Sequence, residues 1–221
     1  MIKNNFQKFF DEISPELGVR QYSFNKIFNY LDELPDPIII VETGCLRIKD
    51  NFSGDGQSTL IFDKYSQFRG NGSKVYTVDI DLVATKICSE VVSKNVTVTT
   101  GDSVKYLNDL TNQFYNEKKE VSLFYLDSFD LDWKSPGQSC EHHLKELVSI
   151  KKILKKNTLV VVDDSPMSGY LQQSKIKKGA VDLIPFELVP KPTISGKGSF
   201  VHQYAMQTGA SVLFSNYQTG W

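Results

Sequence analysis

The spacing of apolar residues along the chain changes near residue 37. Before that point apolar side chains recur every three or four positions, and this spacing predicts a helical N-terminal extension over residues 1–37. A Ser14-Pro15 step interrupts the pattern and suits the start of a second helix. The extension is therefore expected to contain at least two helical segments.

Beyond residue 37, short β-branched runs alternate with amphipathic helical windows. The predicted strands are Ile38–Glu42, Lys74–Val78, Val96–Thr99, Val121–Leu126 and Leu159–Val162. The predicted helices between them are Ser58–Phe68, Leu82–Ser93, Val104–Glu117 and Glu141–Leu154. This alternation predicts right-handed βαβ crossovers and an α/β fold in which helices cover both faces of a parallel sheet.

The alternation loosens after Val162. Residues 165–200 contain four prolines and four glycines, and a long segment of this kind predicts a lid or substrate loop. Its charged residues are interpreted as solvated side chains on the rim of an acceptor pocket: Lys191, Lys197 and the nearby His202. A helix over Phe200–Gln207 and two short runs, Ser211–Phe214 and Tyr217–Trp221, then predict a closing hairpin.

Composition narrows the classes of function. The chain has 221 residues with 25 basic and 26 acidic side chains, so its formal net charge is −1. This balance argues against nucleic-acid binding through a general basic surplus. No apolar run approaches the roughly 20 residues of a membrane span, no apolar block near the start suits a signal peptide, and the three cysteines form no CxxC pair. We therefore expect a reduced, cytoplasmic protein without a membrane or nucleic-acid partner.

An acidic residue follows or ends each of the five predicted strands. These acids are Glu42, Asp79, Asp102, Asp127 and Asp163. In an open α/β sheet, ligands bind beyond the carboxyl ends of the strands, near the point where the strand order reverses. A single acid at such a position is often a helix N-cap, but five in register are hard to explain as caps. The pattern therefore predicts a ligand site at this edge of the sheet.

The phosphate-binding signals that usually accompany such a sheet are missing from the sequence. No GxGxxG follows the first strand, and the Gly196–Ser199 segment departs from the P-loop pattern at positions 191 and 198. A dinucleotide or a nucleoside triphosphate is therefore disfavoured. A cleft rich in acids instead suits a ligand with a ribose, an exocyclic amine and a positive charge, and S-adenosylmethionine has all three.

The chain resembles the class I S-adenosylmethionine-dependent methyltransferases, in the branch similar to catechol O-methyltransferase and the macrocin-type sugar O-methyltransferases. The resemblance covers about residues 38–221 and rests on five runs: Val41–Gly44, Val75–Asp81, Thr100–Ser103, Phe124–Asp127 and Val160–Asp164. It implies a Rossmann-like, doubly wound domain over these residues, with a seven-stranded sheet whose last strand is antiparallel. The first loop, Cys45–Asp55, is longer than the short glycine-rich turn usual in the family.

The resemblance also implies positions for the cofactor. Glu42, Thr43 and Gly44 would lie beside the methionine moiety, with Ser58 near its carboxylate. Asp79 would hold the ribose hydroxyls, and Asp102 and Ser103 would meet the edge of the adenine.

In the metal-dependent branch, acids after the fourth and fifth strands bind Mg²⁺, and Asp127, Asp163 and Asp164 match those positions. Three convergent carboxylates repel one another unless a cation neutralises them, and Mg²⁺ prefers such hard oxygen ligands. The ion would lower the pKa of an acceptor hydroxyl and orient it towards the methyl group. The alternative is that Asp163 and Asp164 cap the turn that follows them.

A general base would complete the removal of the proton. Besides Asp127, the candidate catalytic residues are Asp130, His142 and His143. The catechol branch has a lysine where this chain has Asp130, so Asp130 is a candidate either for the base or for binding a sugar hydroxyl. Either histidine has packing as its alternative role.

These features predict an S-adenosylmethionine-dependent, Mg²⁺-assisted O-methyltransferase that acts on a hydroxyl of a small molecule or sugar. Two alternatives remain open: a nicotinamide-dependent oxidoreductase, and a non-catalytic nucleotide-binding module on the same fold. Phe6, Phe9 and Phe10 are expected to pack the first helix on the sheet, and a pocket-closing role or a homodimer contact is the alternative.

Overall fold

The structure, a computed structural model, describes residues 2–54, 57–167 and 193–221, with side chains from residue 6 onward. The α-helices of these residues are α1 (Ile2–Ile13), α2 (Gln21–Asp32), α3 (Ser58–Arg69), α4 (Leu82–Val91), α5 (Ser103–Glu117), α6 (Gly137–Ile150) and α7 (Ser199–Thr208). The strands are β1 (Ile39–Thr43), β2 (Lys74–Asp79), β3 (Val96–Thr100), β4 (Leu123–Leu126), β5 (Leu159–Val162), β6 (Phe214–Ser215) and β7 (Thr219–Gly220). Short 3₁₀ turns cover Ser14–Arg20, Lys151–Ile153 and Gly196–Gly198.

The seven strands form one sheet in the order β3-β2-β1-β4-β5-β7-β6. Strands β1 to β5 pair in parallel, whereas β7 is antiparallel to both β5 and β6. This architecture confirms the predicted α/β, Rossmann-like sheet with an antiparallel C-terminal strand. The strand order reverses between β1 and β4, so the carboxyl ends of these two strands flank the crevice where ligands bind in such sheets.

Alternate residues of the central strands supply two apolar cores, one on each face of the sheet. Ile40 and Val161 belong to the cluster beneath α1, α2 and α3. Ile39 and Val160 belong to the cluster beneath α5, α6 and α7. Burial on both faces explains why these strands are almost continuously apolar in sequence.

The N-terminal helices share the first of these cores. Phe6 and Phe10 of α1 are buried. The centroid of the Phe6 ring lies 4.7 Å from that of Phe28 in α2 and 5.0 Å from that of Tyr65 in α3. Such edge-to-face contacts add to the free energy gained from apolar burial. The expected packing of this helix against the body of the domain is confirmed for these two phenylalanines.

The largest differences between the predicted and the observed boundaries are at the start of the second helix and at both ends of α6. The break at Ser14 begins a 3₁₀ segment that continues to Arg20, instead of starting the second helix directly. Helix α6 begins at Gly137, four residues before the predicted Glu141, because the apolar spacing used for the prediction becomes visible only after the first turn. The predicted hairpin exists but pairs only Phe214–Ser215 with Thr219–Gly220.

Most of the predicted lid lies outside the described residues, which omit 168–192. Its two described ends meet in an antiparallel bridge between Met167 and Ile194. No helix among the described residues has the length and apolar composition needed to cross a lipid bilayer.

Candidate functional site

A small polar pocket lies where β1 and β4 separate. Its lining residues are Gly44, Cys45, Arg47, Ser58, Asp79, Asp127 and Ser128. Four of the sequence-predicted site residues, Gly44, Ser58, Asp79 and Asp127, are thus brought together. The pocket measures only about 20 Å³ as it stands, whereas a larger cavity of about 490 Å³ lies elsewhere, against α7 and Trp221. The strand-end pocket gathers these sequence-predicted site residues, whereas none of them lines the larger cavity.

Gly44 allows the ends of β1 and β4 to approach closely. Its φ is +80°, and a Cβ at this position would lie 2.4 Å from the backbone oxygen of Asp127. The Asp127 N–H in turn donates to the backbone oxygen of Thr43 at 2.9 Å, and the Thr43 hydroxyl lies 3.2 Å from the same nitrogen. Thr43 is fully buried and therefore positions Asp127 from below the pocket.

Glu42 is a fully buried carboxyl group beneath the pocket. Its Oε2 accepts hydrogen bonds from the hydroxyls of Thr59 at 2.6 Å and Thr77 at 2.8 Å, while Oε1 has no hydrogen-bond partner among the described residues. Burial raises the pKa of Glu42 to about 7, against the opposing effect of the hydroxyl donors, which include Ser58. A buried acceptor of this kind calls for an explanation, and a donor supplied by a water or a ligand is one.

Asp79 is held in place by two backbone donors. Its Oδ2 accepts from the Cys45 N–H at 3.1 Å, and its Oδ1 accepts from the Asp81 N–H at 2.9 Å. An ionised carboxylate has about four lone-pair sites, so these two bonds orient the group and leave capacity for two more donors. A vicinal diol such as that of a ribose would supply two such donors.

Asp102 acts as a helix cap in this structure. It precedes α5, and its Oδ1 accepts from the Lys105 N–H at 2.8 Å. The adjacent Ser103 is buried and shares a hydrogen bond of 2.8 Å with His142 Nε2. The cap interpretation of a strand-end acid therefore applies at β3, beside a Ser103–His142 contact that the sequence did not predict.

The three predicted metal ligands form ion pairs with two cations of the chain. Lys197 Nζ lies 2.5 Å from Asp127 Oδ1 and 3.2 Å from Asp164 Oδ2. Arg20 Nε lies 2.9 Å from Asp163 Oδ2, and Arg20 Nη2 lies 3.2 Å from Asp164 Oδ1. The Lys197 side chain is only 3% exposed, so its interpretation as a solvated lid residue is wrong.

The ion pairs set the direction of the pKa shifts of Lys197 and Asp163, whereas at Asp127 burial outweighs the ion pair and raises the pKa. Burial alone would lower the pKa of Lys197, but the carboxylates of Asp127, Asp164 and Asp163 outweigh it and raise that pKa. Burial alone would raise the pKa of Asp163, but Arg20 and Lys197 outweigh it and lower that pKa. The Tyr217 hydroxyl completes the cluster by donating to Asp164 Oδ1 at 2.5 Å.

Backbone contacts hold Lys197 beside Asp127 and Asp164. Its N–H donates to the Asp164 backbone oxygen at 3.0 Å, and the preceding Gly196 has a φ of +65°. A Cβ on Gly196 would lie 1.9 Å from that same oxygen, and a Cβ on Gly198 would lie 2.6 Å from Ser165 Cβ. Glycines on both sides of Lys197 therefore permit the close approach that buries its side chain.

This arrangement does not fit a resident Mg²⁺ ion. Mg²⁺ requires near-octahedral oxygen ligation at about 2.0–2.1 Å, and the Lys197 ammonium lies between two of the three carboxylates that would supply it. Within residues 2–54, 57–167 and 193–221, no group of three or more His, Cys, Asp or Glu side chains is arranged to hold a metal ion. The expectation of Mg²⁺ assistance stays a prediction, and no step below depends on it.

The remaining candidates for a general base lie in three different environments. Asp130 is 82% exposed, and its Oδ1 lies 3.2 Å from Arg47 Nη1 beside the pocket. The His142 ring packs on Phe129 at 5.3 Å between centroids, on the Ser103 side of the site. His143 is fully buried, and its Nδ1–H donates to the Ser139 backbone oxygen at 2.7 Å.

Burial, more than any neighbouring charge, lowers the pKa of His143 to about 4. The ring is therefore neutral near pH 7, and its position inside α6 suits packing, which was the alternative role for this residue. Next to it, Glu146 is buried and accepts from the Ser128 hydroxyl at 2.7 Å. Sequence reasoning did not single out Glu146, although it connects α6 to the residue that follows Asp127.

Arg20 and Lys197 are the other site residues that sequence reasoning missed. Arg20 comes from the N-terminal extension, 143 positions from Asp163, and no local pattern links the two. For Lys197 a signal exists, because glycines flank it on both sides and a Gly-Lys-Gly segment suits a backbone pressed against another chain segment.

No protein-family model matches the chain, and no curated protein matches it either.

Proposed function

We propose that the protein is an S-adenosylmethionine-dependent methyltransferase that methylates a hydroxyl group of a small molecule or sugar. One observation carries the proposal: at the switch point of the sheet, Asp79 is oriented by two backbone N–H groups into the same pocket as Gly44 and Asp127. An oriented acid after the second strand is the group that accepts from ribose hydroxyls in sheets of this kind.

The residues around the pocket suit the other parts of this cofactor. The unpartnered Oε1 of Glu42 offers an acceptor to a positively charged or N–H-bearing group. Gly44 lines the pocket with backbone alone, without a side chain. Ile80 follows Asp79 directly and is 77% exposed, and Phe129 follows Ser128 and is also exposed. Apolar and aromatic surface at this edge suits a planar base such as adenine.

The bound cofactor would supply an electrophilic methyl group on a sulfonium. The chain's own task is to hold an acceptor hydroxyl in line with that methyl group, and positioning of this kind supplies much of the rate acceleration in such transfers. Asp127 lines the pocket and is the acid placed to accept a hydrogen bond from that hydroxyl, while Lys197 holds its carboxylate in a defined orientation. Asp130 and Arg47 lie beside the pocket and are the groups for contacting the rest of the acceptor.

The sheet order favours this proposal over a nicotinamide-dependent oxidoreductase. Dinucleotide-binding sheets follow the order 3-2-1-4-5-6 and carry a GxGxxG loop after the first strand. Here an antiparallel β7 lies between β5 and β6, and the loop after β1 has no such motif.

Calorimetric titration with S-adenosylhomocysteine tests the proposal. The wild-type chain should bind one equivalent, and Asp79→Ala should weaken binding by about 10-fold or more, because it removes charge-assisted hydrogen bonds worth about 1.5–3 kcal/mol. Asp81→Ser is the matched control, because it removes a neighbouring carboxylate, retains an N-cap for α4 and leaves the Asp81 N–H to Asp79 unchanged.

Absence of binding by the wild-type chain would refute the proposal. Equal weakening by Asp79→Ala and Asp81→Ser would refute the role of Asp79. A parallel fluorescence titration with NADH separates the oxidoreductase alternative, which predicts the reverse preference. Transfer of a labelled methyl group to a panel of phenols and sugars then identifies the acceptor class.

A further inference from the structure

The acids at the ends of β4 and β5 form a carboxylate cluster, consisting of Asp127, Asp163 and Asp164. In the structure this cluster already has positive partners, and both belong to the chain. Three carboxylates that lie this close together cannot all stay ionised without nearby positive charge.

We propose that Lys197 and Arg20 are permanent cations of the carboxylate cluster and take the place of a divalent metal ion, so that the site works without Mg²⁺ at these residues. The inference concerns cation binding and goes beyond the methyl transfer proposed above. It can therefore be tested without cofactor, acceptor or turnover.

The position of the ammonium group supports this proposal. Lys197 Nζ is within hydrogen-bonding distance of both Asp127 Oδ1 and Asp164 Oδ2, so it bridges the acids of two different strands. A metal ion that used both carboxylates would occupy the same space and would be repelled by the ammonium. Lys197 and the ion therefore exclude each other.

Arg20 supplies the second charge in a geometry suited to two acids. Its Nε contacts both oxygens of Asp163, at 3.2 and 2.9 Å, and its Nη2 contacts Asp164 Oδ1 at 3.2 Å. A planar guanidinium donates in fixed directions and matches carboxylates well. The Tyr217 ring covers this guanidinium, with 4.7 Å between the ring centroid and Arg20 Cζ. Arg20 is thus fixed on two sides.

The backbone construction shows that Lys197 is anchored and does not belong to a flexible surface chain. The Lys197 N–H bonds to Asp164, and the positive φ of Gly196 brings the segment onto the turn formed by Asp163 and Asp164. Asp164 itself has a φ of +42°, which is uncommon for a residue with a side chain. Asp164 and the glycine that precedes Lys197 thus both adopt left-handed backbone geometry beside the ion pair.

Manganese titration of the metal-stripped chain tests the proposal, with free Mn²⁺ followed by electron paramagnetic resonance. The wild-type chain should show no stoichiometric site tighter than about 1 mM, an affinity that corresponds to only about 4 kcal/mol. Lys197→Met removes the ammonium, which leaves Asp127 without the cation it contacts and Asp164 with Arg20 alone, so it should gain one Mn²⁺ site at least about 10-fold tighter than any in the wild type. The double variant Lys197→Met, Asp127→Asn should lose that site again.

Lys145→Met is the matched control for charge. Lys145 pairs with Glu141 at 2.8 Å on the exposed face of α6, so its substitution changes the net charge of the chain equally, outside the cluster. This variant should bind Mn²⁺ as the wild type does. A gain of binding in Lys145→Met would show that the effect is one of general charge and would overturn the proposal.

Two further outcomes would overturn it. One is a single tight Mn²⁺ site in the wild-type chain that Asp127→Asn abolishes, because the metal would then be the resident cation. The other is a folded Lys197→Met variant without a new site. If Lys197→Met does not fold, the wild-type and Asp127→Asn titrations still decide. Since none of these measurements uses S-adenosylhomocysteine, a failure here is distinct from a failure of the proposed methyl transfer.

Discussion

The two halves of the candidate site hold their carboxylates in different ways. At the ends of β1 to β3, acids are met by neutral donors, namely the hydroxyls around Glu42 and the backbone N–H groups around Asp79 and Asp102. At the ends of β4 and β5, acids are met by the cations Arg20 and Lys197. The acids of the first half thus have neutral partners, whereas the second half carries its own positive charge.

This difference has an energetic consequence. Loss of a neutral donor costs about 1 kcal/mol, whereas loss of one partner of a buried ion pair leaves an uncompensated charge and costs several times as much. The two halves should therefore respond differently to substitution and to pH. The following predictions test this contrast, beginning with the largest effect.

Lys197→Met should destabilise the fold by up to about 3–5 kcal/mol, because it removes a buried ammonium, leaves the partly buried Asp127 without the cation it contacts and leaves Asp164 with Arg20 alone. Urea unfolding near pH 7 measures this change. The exposed Lys145→Met should leave the unfolding midpoint unchanged. Adding Asp127→Asn to Lys197→Met should restore part of the loss, since the two substitutions act on one contact. Independent, additive effects of the two substitutions would contradict the ion pair.

Gly196→Ala should destabilise by about 2–4 kcal/mol, because it combines a positive φ with a clash against the Asp164 backbone oxygen. Gly209→Ala is the matched control. It has a similar φ of +77° but no atom within 4 Å of the added Cβ, so only the conformational cost of about 1 kcal/mol applies. Equal losses in the two variants would show that the close approach beside Lys197 is not required.

The free energy of unfolding of Glu42→Gln, relative to that of the wild type, should increase as the pH rises. Because burial raises the pKa of Glu42 from 4.5 to about 7, its contribution to stability is full below pH 4.5 and is lost as the pH rises through 7. The difference in unfolding free energy between variant and wild type should change by about 2–3 kcal/mol from pH 5 to pH 8. Urea unfolding at several pH values measures it.

Glu146→Gln provides the contrast in sign. Burial alone would raise the pKa of Glu146, but hydrogen bonding from His142, Ser103 and Ser128 outweighs it and lowers that pKa. The stability that Glu146 contributes is therefore present above its ordinary pKa and lost only at lower pH. The difference in unfolding free energy between Glu146→Gln and the wild type should therefore stay constant between pH 5 and pH 8. A slope equal to that of Glu42→Gln would contradict the assignment of either residue.

The two halves of the site also differ in how far they could be predicted from the sequence. The strands and most helices could be predicted because apolar periodicity is a local property, and the positions of Gly44 and Asp79 follow from their place after a strand. Two of the neutral donors are also close in sequence, since the Asp81 and Lys105 N–H groups lie two and three residues beyond the acids they meet. The donors Thr59, Thr77 and Cys45 instead lie 17, 35 and 34 positions from their acids, so local reasoning describes the first half only in part.

The second half depends on contacts that no local pattern encodes. Arg20 and Lys197 lie 143 and 70 positions from the acids they neutralise, so only the folded chain brings them together. The prediction that Lys197 is solvated was wrong, although a lysine among prolines and glycines usually is. Its burial results from the two flanking glycines, whose effect depends on where the Asp163-Asp164 turn lies in space.

The smallest effect concerns Asp102, where the neutral half of the site meets ordinary helix capping. Asp102→Ala should cost about 1 kcal/mol, because α5 loses the acceptor for the Lys105 N–H, whereas Asp102→Ser should cost almost nothing. Paired urea unfolding curves measure this difference. S-adenosylhomocysteine affinity should equal that of the wild type in both variants if Asp102 serves only the helix. A weaker affinity in both variants, with stability retained in the serine variant, would instead place the Asp102 carboxylate among the cofactor ligands and extend the neutral half of the site to β3.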